Sequence, residues 1–160
     1  MRTARTRVIG APVEEVWRLA SDPAYLAAWW PATERTEGSS RTGWTSVTTS
    51  PRGRAVRADY SLVTTEPPTR GRWRQEVEGT PFGRLFDSLE YELRLEPVAE
   101  GGEGPRGRRS AGVTRASVVL EQRPRGWARL GGLQIKRAAG RALDRALADL
   151  AGLAEHEDPA

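Results

Sequence analysis

The chain contains no cysteine, and its one histidine is His156, close to the C-terminus. Without thiols there can be no disulfide, no thiolate metal site and no cysteine nucleophile, which fits a reducing, cytoplasmic setting. With one histidine there is almost no material for a His-ligated metal or a His-based triad, so no metal and no cofactor is expected. No apolar run reaches the roughly 18 residues that a membrane-spanning helix needs, and no transmembrane segment is expected. The opening MRTARTRVIG lacks the apolar core of a signal peptide. Lysine is nearly absent as well: Lys136 is alone, and the remaining positive charge is arginine. The formal net charge is +4, with arginines interleaved among Glu and Asp. That scatter reads as a compositional bias rather than a nucleic-acid surface, so no specific nucleic-acid partner is expected.

What is present is tryptophan. Hydrophobic residues make up 38% of the chain, a modest share for the single core that 160 residues can build. The six Trp residues offset this, because each buries a large area.

The stretch from Trp127 to Ala154 is the longest periodic one. Ile135, Ala139, Ala142, Leu143, Ala146, Leu147, Leu150 and Leu153 recur at spacings of three and four, which predicts one apolar helix face. Arg137, Arg141, Arg145 and Asp149 fall on the other side. Near the other terminus, residues 3 to 9 alternate and predict a strand. APVEEVWRLASDPAYLAAWWP then predicts two short helices. Pro12, Glu14 and Glu15 favour the first start, Ser21-Asp22-Pro23 separates the two, and Pro31 ends the second. On that second helix the adjacent Trp29 and Trp30 would point about 100° apart, one into the core and one toward a cavity mouth.

From Ala32 to about Gln122 the period is two, predicting strands near 32–38, 43–50, 54–65, 70–79, 84–97 and 112–123. Each has one dry and one wet face, the pattern of an antiparallel sheet covered on one side. Inward-facing sets are Val56, Ala58, Tyr60 and Leu62; Trp73, Gln75 and Val77; Leu85, Leu89, Tyr91, Leu93 and Leu95; and Ala116, Val118 and Leu120. Asp87 falls on the apolar parity, either as a buried acid or, through a strand-end irregularity, turned to solvent. Residues 99–111 read as a hairpin loop. Its Gly102, Gly104 and Gly107 match a dinucleotide-binding pattern only formally, since a strand and not a helix follows.

The order is one strand, two short helices, six strands and one long helix. Together with Val8-Ile9-Gly10-Ala11-Pro12 before Val16-Trp17, Ser21-Asp22-Pro23 before Leu26 and Trp29-Trp30-Pro31, and Leu130-Gly131-Gly132 before Arg137 and Leu143-Asp144, this resembles the START-like superfamily, also called SRPBCC. Within it, the chain is similar to the bacterial polyketide cyclase/dehydrase and lipid-transport group. The resemblance implies an α+β helix-grip fold over 1–154, with a curved antiparallel sheet of about seven strands around the C-terminal helix; the polar residues 155–160 read as a flexible tail. It implies a cavity between sheet and helix for a lipid, polyketide or other small apolar ligand. The protein would then be a carrier or sensor. The alternatives are a cofactor-independent cyclase/aromatase-type enzyme, or a module whose basic helix face and 99–111 loop bind a macromolecule or membrane surface. A homodimer is left open.

Candidate cavity residues are Trp30, Trp44, Tyr60, Trp73, Gln75, Phe82, Phe86, Tyr91, Gln122 and Trp127, with Ile135, Ala139 and Leu143 from the long helix. The inward Tyr and Gln side chains would either orient a ligand carbonyl or hydroxyl, or satisfy buried backbone groups. The aromatics would line a pocket or pack the core. No constellation of nucleophile and base is visible, and catalytic residues are not assigned. Folding a reactive chain in a shaped pocket can itself drive cyclisation, so that gap does not exclude an enzyme.

Overall fold

The computed structural model describes residues 1–98 and 112–156. The loop expected over 99–111, with its glycine pattern, and residues 157–160 of the tail lie outside the described residues. Strand β1 (Arg2–Ile9) leads into α1 (Val13–Ser21), a 3-10 turn (Pro23–Tyr25) and the short helix α2 (Leu26–Trp29). Six strands follow: β2 (Arg35–Glu37), β3 (Gly43–Thr49), β4 (Ala55–Glu66), β5 (Arg70–Glu76), β6 (Phe86–Pro97) and β7 (Thr114–Pro124). A 3-10 turn (Gly126–Gly131) then opens α3 (Gly132–His156). The strands form one antiparallel sheet in the order β1-β7-β6-β5-β4-β3-β2. The fold is α+β, a curved seven-stranded sheet with a long C-terminal helix, as the sequence implies.

Local chemistry accounts for the breaks. Asp22 accepts a hydrogen bond from the Ala24 N–H at 2.9 Å and caps the 3-10 turn. Trp30 precedes a proline, which excludes it from helical backbone, and it turns extended at φ −60°, ψ 138°. α3 begins at Gly132 rather than at Trp127, because the residues before it form the tighter turn. It runs for 25 residues, through Glu155 and His156.

The apolar stripe of α3 behaves as its period predicts. Ala139, Leu143, Ala146, Leu147 and Leu150 are buried, although Ala142 is exposed. The helix packs on β1, β7, α1 and α2, so it covers one side of the sheet. Arg5 of β1 lies across α3 at Gly140 and pairs with Asp144 at 3.3 Å. The other sheet face carries charge. Arg70 and Arg94 stand directly opposite each other on β5 and β6, a repulsive pairing relieved because both reach Glu92. Arg72 and Arg74 both reach Glu90, at 2.7 and 2.9 Å. These contacts hold the Glu90 carboxyl below the usual carboxylate range, chiefly through the Arg74 hydrogen bond.

β6 departs from its sequence pattern at its start. The register with β7 shifts between Phe86 and Ser88. That irregularity turns Asp87 outward to pair with Arg125 at 3.3 Å, and Leu85, expected inside, is 50% exposed.

Candidate functional site

An aromatic cluster lies over β3 to β6, to the side of β1 and β7, the strands on which α3 chiefly packs. Trp30 is its hub. The extended backbone forced by Pro31 swings its indole toward the strands, with ring centroids 4.8 Å from Trp44, 5.2 Å from Tyr60 and Tyr91, and 5.4 Å from Trp73. Trp44 and Tyr60 stack at 5.2 Å. Register explains the convergence. Trp44 of β3 faces Tyr60 of β4, Tyr60 faces Gln75 of β5, and Trp73 faces Tyr91 of β6. Contacts of this geometry are each worth about 0.5–1.5 kcal/mol beyond area burial. Trp29 is buried too, and both adjacent tryptophans also line the groove between α2 and α3.

Polar groups are threaded through this layer. The Tyr60 hydroxyl donates to Gln75 Oε1 at 3.3 Å, and the Trp44 indole N–H donates to Ser46 at 3.0 Å. Gln75 and Gln122 flank Leu89 on neighbouring strands. Gln75 Nε2, Gln122 Oε1 and Thr3 Oγ1 are buried without a hydrogen-bond partner among the described residues. Burial pushes the phenols of Tyr60 and Tyr91 up, with the neighbouring Tyr60 adding to the shift at Tyr91. Both are therefore neutral hydrogen-bonding groups at ordinary pH, not bases.

Beside the cluster lies a cleft of about 520 Å³. Its apolar walls are Trp17 of α1, Leu26 of α2, Trp44, Leu62 and Trp73; Ser21, Asp22, Ser40, Arg41 and Thr65 add polar groups. It sits where β3 starts and β4 ends, beneath the α1–α2 connection. No residue of α3 lines it. The indole of Trp73 reaches it past Gly71, where a Cβ would collide with the outer edge of the ring. A smaller groove of about 280 Å³ runs between α2 and α3, past Pro31, Ala142 and Arg145.

The structure thus divides the sequence candidates. Trp44 and Trp73 line the cleft, and Trp30, Tyr60, Gln75 and Tyr91 form the layer that backs them. Gln122 and Phe86 are buried toward the opposite strand ends, with Phe82 half-buried there. Leu143 and Ala139 are buried on α3, and Ile135 is half-buried. Trp127 is 88% exposed, because the 3-10 turn breaks the phase of the helix that would have carried it inward. The candidates omit Trp17, Leu26, Leu62 and Arg41. Leu62 shares the face of Tyr60 and was legible on that ground, whereas nothing local marks Arg41. Among the described residues, no group of three or more carboxylate or histidine side chains could hold a metal ion. No described helix is long and apolar enough to cross a membrane.

Comparison with known proteins places this geometry. Residues 1–155 match the family model described as polyketide cyclase / dehydrase and lipid transport. No curated protein matches the chain. Among solved structures, a conserved protein from Geobacillus kaustophilus aligns with a TM-score of 0.73 at 14% identity, over 97% of this chain and 95% of its own. A START superfamily protein from Mycobacterium smegmatis aligns at 0.69 and 13% identity, over 98% and 99%. A protein from Nitrosomonas europaea aligns at 0.68 and 15% identity, over 98% and 96%. At these identities the likeness is one of fold.

Proposed function

This chain belongs to the polyketide cyclase / dehydrase and lipid transport family, and from that premise we propose that it binds one small, largely apolar molecule in the cleft beneath the α1–α2 connection, as a carrier or sensor. The observation that carries the reading is the cleft itself. Its volume of about 520 Å³ falls in the range of small-molecule sites, roughly 300–1,000 Å³, and its walls are aromatic and aliphatic with a few polar groups. The aromatic layer behind it is packed and hydrogen-bonded, which favours a pre-formed wall over one built on binding. Burial keeps the Tyr60 and Tyr91 hydroxyls protonated, which suits them to hydrogen-bond a ligand and not to act as general bases.

The test is a titration of the purified chain with 8-anilinonaphthalene-1-sulfonate and with long-chain fatty acids, read by fluorescence, alongside native mass spectrometry for co-purified ligand. Leu62 is half-buried at the cleft wall, at the edge of the core, so Leu62→Trp directs added bulk into the cleft. The expected result is saturable binding by the unmodified protein and at least about tenfold weaker binding by Leu62→Trp, at unchanged thermal stability. Absence of binding, or equal binding by both proteins, would reject the reading.

A further inference from the structure

Among the described residues seven large hydrophobic side chains are exposed, and four of them gather at one end of the molecule. Trp127 is 88% exposed, Leu130 80%, Leu133 64% and Leu85 50%. Trp127 and Leu130 lie three apart on the 3-10 turn, where residues at that spacing eclipse, and Leu133 extends the row into α3. The Arg125 N–H donates to the Leu85 carbonyl at 2.7 Å, which ties Leu85 to the same surface. Scattered exposed leucines are ordinary, but four such side chains together, one of them tryptophan, mark a contact surface.

The charge around them identifies the partner. From Gln122 to Leu143 the chain has six basic residues and no acidic one. The whole chain carries a formal net charge of +4, so this stretch holds +6 and everything else sums to −2. Arg125 is engaged by Asp87, while Arg123, Arg129, Lys136 and Arg137 are exposed around the apolar row. The interleaving of charges seen along the sequence as a whole therefore fails here.

From this we infer that the Gly126–Leu133 segment is a peripheral membrane anchor that docks on an anionic lipid surface. Trp127, Leu130 and Leu133 would sit at the headgroup–acyl boundary, with Arg123, Arg129 and Lys136 among the lipid phosphates. A second copy of the chain fits less well, because a two-fold contact would press this basic surface against itself. Nucleic acid would engage the arginines and leave the leucines without a partner. The surface is independent of the cleft. It lies where β6 starts and β7 ends, at the opposite strand ends from Ser40, Thr65 and Pro67.

The experiment uses the full chain with vesicles of phosphatidylcholine alone or mixed with phosphatidylglycerol, read by co-sedimentation and tryptophan emission. Trp127 is the one exposed tryptophan of the six, so its transfer out of water reads as a blue shift. The expected result is binding to the anionic vesicles only, weakening as sodium chloride rises. Trp127→Ser/Leu130→Ser should abolish binding with an unchanged Tm, because both side chains are exposed. Arg129→Gln should weaken it about fivefold at low salt. Failure to bind anionic vesicles at low salt, or equal binding by the double variant, overturns the proposal. So does a concentration-dependent dimer that the double substitution dissolves, which would make a second copy the occupant.

Discussion

Gly71→Ala is the substitution on which the cleft's geometry can be most sharply judged. Gly71 is an interior residue of β5 with no positive φ, so alanine meets no backbone strain there. On propensity alone the change would stabilise the strand by about 0.5–1 kcal/mol. The Trp73 indole opposes it, since a Cβ at this position collides with the ring. That ring is 6% exposed and held by Trp30 and Trp44, so it cannot move freely. Forcing an extra methyl into such packing costs about 1–3 kcal/mol. The collision wins, and a net loss of about 1–2 kcal/mol follows, or a fall in Tm of roughly 2–8 °C for a chain of this size. The open side available to the indole is the cleft, so ligand affinity should fall together with Tm. The assay is thermal unfolding by near-UV circular dichroism, with the ligand titration in parallel. In a Trp73→Leu background the obstacle is gone, and Gly71→Ala should become neutral or stabilising; the difference between backgrounds measures the coupling. If Gly71→Ala raises Tm in the unmodified protein, or shifts both backgrounds equally, the account of the cleft wall is wrong.

Two further outcomes follow from contacts elsewhere. Gly140→Ala meets the Arg5 guanidinium, but that group is the free end of a flexible side chain, 40% exposed, which can swing away. Loss of the surface Arg5–Asp144 pair costs well under about 1 kcal/mol, against a helix-propensity gain of about 1, so Tm should hold or rise slightly, the reverse of Gly71→Ala. Glu90 tests the outer face: its folded-state pKa is depressed, so the stability it contributes is present above the unfolded carboxylate value, about 4.3, and is lost as pH falls through the folded one. Its arginine partners are 34% and 50% exposed, so solvent screening limits the effect to about 1 kcal/mol; Glu90→Gln should lower Tm at pH 7 and flatten its dependence below pH 4.5, as read by calorimetry.

By itself the sequence determined the element order and the face assignment of most strands. Period two sorts residues to one side or the other of a strand without reference to anything distant, so Tyr60, Gln75, Tyr91 and Leu93 were placed inward and are buried. Period 3.6 did the same for Leu143, Leu147 and Leu150. Local geometry broke the period at two places. The register shift at Phe86 put Leu85 outside, and the 3-10 turn before Gly132 left Trp127 in solvent. Only the tertiary structure decided which inward residues meet. Trp30 joins Trp44, Tyr60, Trp73 and Tyr91 because Pro31 redirects its backbone and the strand register aligns the others beneath it. Only the tertiary structure revealed a cleft at the strand ends that no residue of α3 lines. A periodicity records which side a residue takes, but the volume left between two surfaces depends on their curvature and on every side chain that enters it.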